Sequence, residues 1–395
     1  MSAANPHIAG AAAAGSAWLP LASLRVLDFS GLLPGPYATV ALADLGADVV
    51  KVEPPGGDPA RQILKTMFRM ANRNKRSIVV DLKNPAARAV VERLLHDADV
   101  VVEAFRPGVA RRLGIDYPAV AAINPSIVYC SISGYGQTGP DRLRPGHDVT
   151  YLARSGALAL AGHWNEPPRR SGLPVADISG GGHAVIAILA ALHDRHSTGA
   201  GAYVDLSLAE TALAAAALRH GVDFDGLAQS HVRPTNDLFR TADGQWIAIG
   251  IVEQHFWENF VRIVADIAPD LRDERFDSID KRLSNGNEVS ARLHALIGSR
   301  DAAYWLPEFE RNDVPAELVL PPSAASRTAQ VVARESVAEK SGERHIPFPV
   351  HANGRRGARL GSTAPALGSH TRPILEEVGF ASAEIEALIA VGIVA

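Results

Sequence analysis

Short aliphatic runs alternate with stretches of helical spacing over the first third of the chain. Leu24–Phe29, Ala47–Glu53, Arg76–Leu82, Asp99–Glu103 and Ser126–Ile132 are rich in β-branched and apolar residues and read as buried strands. Between them, Tyr37–Leu45 and Pro85–Asp97 place apolar residues three and four apart, and the GLLPGP of Gly31 to Pro36 reads as a turn. Strand, turn, helix and strand make a βαβ unit, so an α/β fold with a parallel sheet and right-handed crossovers is expected. The alternation is Rossmann-like but lacks the GxGxxG fingerprint, and no nicotinamide cofactor is inferred.

Further along, a glycine triplet at Gly180 to Gly182 precedes a long apolar run. That run predicts a helix over Gly182–His193 with Ser179 or Asp177 as its N-cap. Ala202–Asp205 reads as a strand and Leu206–Leu218 as a helix. Gly221–Thr235 breaks the alternation and reads as the crossing to a second domain. There, Asn236–Thr241 and Gln245–Gly250 flank Ala242-Asp243-Gly244 as a β-hairpin. A helix follows with Glu253 in its first turn, then another over Asp301–Asn312, then a strand in VPAELVLPPSAA.

The 395 residues suffice for two domains, and a net charge of −4 gives no reason to expect nucleic acid; an anionic ligand would need a local basic patch. Cys130 is the single cysteine, which excludes an intrachain disulfide and fits a reducing cytoplasm. No uninterrupted apolar run reaches the roughly 18 residues that span a bilayer, so no membrane is expected as a partner. The first 20 residues read as a flexible tail: Met1–Ala17 lacks a basic n-region, and Pro6 and Gly10 interrupt it.

Candidate chemistry concentrates between Arg144 and Leu192. An imidazole at His147 stands beside Asp148, and Asp177 precedes the glycines. A carboxylate at a helix start lies near amide donors and the positive dipole end, which favours its ionised form, and glycines let a backbone or a flat ligand come close. Arg73, Lys75 and Arg76 cluster at a strand start. Arg106, Arg111 and Arg112 follow a strand's carboxyl end, where open α/β sheets place ligands. Such groups suit phosphates. Each feature also has a plainer reading: a turn contact, an N-cap, a solvated face. His163, His183, His193, His196 and His231 lack metal-ligand grouping, so no metal is expected.

The segments GHDVTY, LPVADISGGG, NRNKRSIVVDLKNPAAR, VVEAFRPGVARRLGI and YCSISGYGQTGP resemble the class III CoA-transferase family, which includes the α-methylacyl-CoA racemases. The resemblance covers nearly all of the chain after Trp18. It implies a large Rossmann-like α/β domain from 21–225 and 335–395, a smaller α+β domain inserted at 226–334, and an interlocked homodimer. Coenzyme A would enter as part of an acyl-CoA substrate, not as a resident cofactor, with Arg73, Lys75, Arg76, Arg106, Arg112 and Tyr135 as its contacts. The chain departs from the family at Pro54 and Pro55, at Ala104, at Ser369, and in lacking a glycine-rich loop near the crossing.

Two reactions share the family scaffold. A racemase needs an acid–base group on each face of the α-carbon, and the resemblance implies His147 and Asp177 in these roles, with Glu253 orienting His147 and Asp148 anchoring the loop. A CoA-transferase would instead use Asp177 as a nucleophile, forming an aspartyl-CoA thioester. Transferase relatives tend to carry Tyr at the position of His147 and a non-acidic residue at that of Glu253, so racemisation of a 2-methylacyl-CoA is expected. A non-catalytic acyl-CoA-binding protein would not need the acid–base set. The acyl group itself is left open.

Overall fold

The computed structural model describes residues 17–160, 162–164, 169–222, 232–358 and 360–395. The chain divides into two compact units, each taken over its described residues. The larger holds Met1–Arg154, Leu173–Ala212 and Thr328–Ala395, and the smaller holds Ser155–Gly172 and Leu213–Arg327. Sequence reading put the divisions at 225/226 and 334/335 and gave 155–172 to the large domain. Much of the expected crossing, 223–231 with His231, lies outside the described residues, as does most of the expected tail. The tail's described end is tied down, because Trp18 bridges to Gly357.

The larger unit is built on six strands: β1 (Arg25–Asp28), β2 (Asp48–Glu53), β3 (Lys75–Val79), β4 (Val100–Glu103), β5 (Val128–Ser133) and β6 (Ala202–Ser207). They pair in the order β3-β2-β1-β4-β5-β6, every neighbour parallel. This is the Rossmann order, in which the strand sequence reverses between β1 and β4. Strands covered on both faces read as unbroken aliphatic runs, which is why β1, β2, β4 and β5 stand out; β6, AYVDLS, is half-exposed along its first four residues. Leu27, Val50, Ile78 and Val101 pack with Val90, Val91, Leu94 and Leu95 of a helix over Arg88–His96, and with Ile374, Leu375 and Ile385 from the C-terminal segment.

Helix α1 (Pro34–Asp44) begins inside the expected turn, since a proline's fixed φ suits the first helical position. Helix α2 (Asp148–Arg154) is short, and α3 (Val175–Thr198) runs for 24 residues. Sequence reading started α3 seven residues late by treating the glycines as a loop. They lie inside the helix because two of them face close neighbours. A Cβ on Gly181 would lie 2.7 Å from the Pro34 carbonyl oxygen, and one on Gly180 2.1 Å from a Leu208 methyl. Gly199, at φ +72°, ends the helix in the left-handed conformation. By length and composition α3 could also cross a bilayer, where no such segment was expected. It packs against α1, β5 and β6 within its own unit.

The smaller unit carries an antiparallel sheet of β7 (Asn236–Arg240), β8 (Trp246–Gly250) and β9 (Ala316–Leu318). Phe239, Ile247, Trp257, Phe260, Trp305 and Phe309 form its core. Helix α4 (Gln254–Ile263) follows β8, with Glu253 as its N-cap residue and not within its first turn.

Candidate active site

The junction of α2 and α3 is the chemical focus of the larger unit. His147 immediately precedes α2, and its carbonyl accepts the Thr150 and Tyr151 amides at 2.8 and 3.2 Å. Thr150 Oγ1 accepts the His147 N–H at 3.0 Å and donates to its carbonyl at 2.7 Å, so the backbone here is held on both sides. The His147 side chain is exposed, and its ring has no hydrogen-bond partner among the described residues. Asp148 next to it is 5% exposed and turns toward α3. Its Oδ1 accepts the Ala176 amide at 2.7 Å and the Asp177 amide at 3.3 Å, while Oδ2 is buried without a hydrogen-bond partner. A carboxylate from one helix therefore caps the next.

That cap reverses the electrostatics expected for Asp177, the third residue of α3. The first-turn amides that would have favoured its ionised form face Asp148 instead. Burial, and then the like charge of Asp148, push the Asp177 carboxyl up to about 7. A group titrating there exists in both protonation states near neutrality, which suits proton transfer. To stabilise an oxyanion, the amides of Gly180 to Gly182 would have to be unpaired. Inside a helix those amides bond to carbonyls four residues back, and they are not free for a ligand.

The Arg73, Lys75 and Arg76 cluster is a correction to the sequence reading. Arg73 is buried, with its guanidinium on both oxygens of Asp44 at 3.0 and 2.5 Å. Lys75 is 2% exposed, and its ammonium contacts Asp28 at 2.9 Å, Thr39 Oγ1 at 2.8 Å, Asn72 Oδ1 at 2.9 Å and the Pro36 carbonyl at 3.1 Å. Arg76 lies between Asp48 and Glu377, each within 2.7 Å. Arg73 and Lys75 are neutralised inside the fold and Arg76 is paired at its surface, and Lys75 has no surface to offer a phosphate. Burial would raise Asp28, yet Lys75, Lys51, Ser30 and Thr39 together hold it well below the carboxylate range. Burial also draws Lys75 down to about 8.

The second basic group stands differently. Arg106, in the loop after β4, and Arg111 and Arg112 beyond it are exposed and form no ion pair among the described residues. Arg106 adjoins the reversal of strand order between β1 and β4, where open α/β sheets take ligands. It is also close enough to Tyr151 for its charge to act on that phenol, and Tyr135 packs edge-on against the Tyr151 ring at 5.3 Å.

Sequence reading missed a buried network beside this loop. Glu103, at the end of β4, accepts the Phe105 amide at 2.7 Å and a hydrogen bond from Ser131. Gln137 bonds Ser131 through its amide group at 2.8 Å and donates its backbone N–H to Asp205 at 3.1 Å. Burial first, and Asp205 as well, push Glu103 up to about 7. The signal available was a carboxylate closing the all-valine strand β4.

Glu253 belongs to the smaller unit, where its side chain is exposed and makes no capping bond. That unit also holds a cavity of about 1020 Å³, lined by His163, Asp237, Glu310, Asp313 and Glu317 among others, with no Lys or Arg in the described lining. Such a lining does not suit a polyphosphate. His163 lies 2.5 Å from Asp237 through Nδ1, a pairing across 74 positions that its sequence neighbours do not announce.

Comparison with known proteins follows the same lines. The chain matches the model of CoA-transferase family III over residues 21–371. It is 32% identical to acetyl-CoA:oxalate CoA-transferase of Acetobacter aceti, over 91% of this chain and 95% of that protein. It is 31% identical to alpha-methylacyl-CoA racemase of Homo sapiens, over 93% and 95% respectively. A solved CAIB/BAIF family protein from Brucella suis, 30% identical, matches with a TM-score of 0.79 over 91% of this chain and 99% of that one.

Proposed function

Because the chain belongs to CoA-transferase family III, we propose that it racemises 2-methyl-branched acyl-CoA thioesters by two-base proton transfer. The observation that carries this reading is the α2–α3 junction, where an exposed His147, its ring unpartnered among the described residues, adjoins the carboxylate that holds and tunes Asp177. The thioester carbonyl acidifies the α C–H. His147 takes that proton to give an enolate, and protonated Asp177 returns one to the opposite face; the other epimer runs the reverse. Positioned acid–base groups of this kind contribute roughly 10²–10⁴-fold. Glu253 is the further carboxylate of the acid–base set. Arg106, Arg112 and Tyr135 are the contacts for the coenzyme A portion, and the working form is a homodimer, which light scattering checks.

The CoA-transferases among the relatives support a second reading. There the Asp177 carboxylate attacks the thioester carbonyl and CoA thiolate leaves. The thiolate then attacks the aspartyl carbonyl of the anhydride, releasing the first acid, and an acceptor carboxylate takes the CoA from the aspartyl thioester. That route gives His147 no task. NMR of deuterium entering C2 of a 2-methylacyl-CoA in deuterated buffer separates the two. Racemisation predicts exchange from either epimer; in His147→Ala inversion should be lost for both, and exchange for the epimer whose proton His147 takes. No exchange, together with hydroxylamine trapping of Asp177 under acyl-CoA, would replace the first reading by the second.

A further inference from the structure

Tyr151 on α2 sits against the peptide that leads into His147, yet no role has been given to it. Its ring is 9% exposed and its hydroxyl donates to the Gly146 carbonyl at 2.7 Å, one peptide before His147. Gly134, just after β5, and Gly146 close on that ring. A Cβ on either would lie 2.4 or 2.5 Å from Tyr151 Cε1, so both positions exclude any larger residue while the ring is there. The loop between these glycines is fixed at its start by the Gln137–Asp205 bonds and at its end by this hydroxyl. The charged and titratable groups facing Tyr151 are Asp177 from α3, Tyr135 from the loop after β5, and Arg106 from the loop after β4. Burial and then Asp177 push the phenol up to about 12, so it remains a donor throughout the neutral range.

We propose that Tyr151 is a positioning residue: by holding the Gly146 carbonyl, its hydroxyl sets the direction in which His147 meets the substrate α-carbon opposite Asp177. This rests on the two-base reading above. The ring works as a spacer between two loop ends, and the hydroxyl as the pin that stops the His147 peptide from rotating. Losing the pin leaves Asp177 and its cap in place, so only one of the two bases is misaligned.

Tyr151→Phe keeps the spacer and removes the pin. Since a misplacement of about 1 Å can cost about 10²-fold in rate, kcat should fall roughly 10- to 100-fold with KM within about threefold. The epimer whose proton Asp177 removes should keep exchanging with solvent while failing to invert, so its exchange-to-inversion ratio should rise. The other epimer should lose both. A 3,5-difluorotyrosine at position 151 retains the packing and provides the second test. Turnover should be near wild type at low pH and should fall, as the more acidic phenol ionises, at a lower pH than in wild type. Unchanged kcat in Tyr151→Phe, equal slowing of exchange and inversion for both epimers, or a difluorotyrosine profile identical to wild type overturns the proposal. Absence of exchange in the wild-type enzyme would instead remove the racemase reading and this one with it.

Discussion

Asp148→Asn tests the electrostatic design of the junction. The substitution deletes one charge and retains an oxygen for the Ala176 and Asp177 amides. Asp177 rises from 3.8 to about 7, and burial supplies the larger share. Asp148 therefore supplies less than half, at most about 1.5 pH units or about 2 kcal/mol. The transferase reading, and the racemase reading for the epimer whose proton Asp177 removes, require Asp177 to shed its proton at the acid end of the pH profile, so that epimer is the substrate. The acid limb of kcat/KM should thus lie near 7 in wild type and move down in Asp148→Asn, by about 0.5 to 1.5 units. Weakening the charge–dipole interaction at the start of α3 costs about 0.3–1 kcal/mol, too little to unfold the unit. The assay is initial rate against pH from about 5 to 9, alongside a thermal melt. The linkage sign provides a second check. The folded state holds the Asp177 proton more tightly than the unfolded chain, so wild-type stability falls as pH rises from about 4 to about 7. An acid limb that stays in place or moves upward while the fold is intact would refute the coupling between the two carboxylates.

Other substitutions probe the remaining assignments. Lys75→Met leaves Asp28 buried without its main partner and should destabilise the larger unit by about 3–5 kcal/mol in denaturant melts, with Asp28→Asn added to it restoring part of the loss. Arg106→Ala removes an exposed cation that forms no ion pair among the described residues; KM for acyl-CoA should rise roughly 10- to 100-fold, as for a charged hydrogen bond of about 1.5–3 kcal/mol, with the melting temperature unchanged. Gly181→Ala forces a methyl against the Pro34 carbonyl and should cost about 1–3 kcal/mol of stability.

All six strands of the large sheet were legible, the inner ones because double burial leaves an aliphatic run, and β6 despite being half-exposed. The hairpin of β7 and β8 was legible from its turn. Their order in the sheet was not, since it depends on contacts between distant segments. The start of α3 was missed because its cap is a side chain 28 residues upstream. The Arg73–Arg76 cluster was misassigned for a similar reason. A run of cations shows on the page, whereas the carboxylates that neutralise it stand 28 to 47 positions earlier and, for Glu377, 301 positions later, on other strands and helices. The identities of His147, Asp148 and Asp177 could be read off directly. The acidity of Asp177 could not, because it depends on which amides face it and which charge arrives there first.

The free edge of β3 is closed by residues from the opposite end of the chain: the Asp81 amide bonds the Ile393 carbonyl at 2.9 Å, and Val80 bridges to Val394. During synthesis this border must wait, unpaired, while more than 300 intervening residues emerge, including all of the smaller unit. An unpaired strand border invites other chains to add to it. Chains stopped before Ile393 should therefore depend on chaperones more heavily than chains that reach Val394, and such a truncation should promote aggregation before it affects turnover.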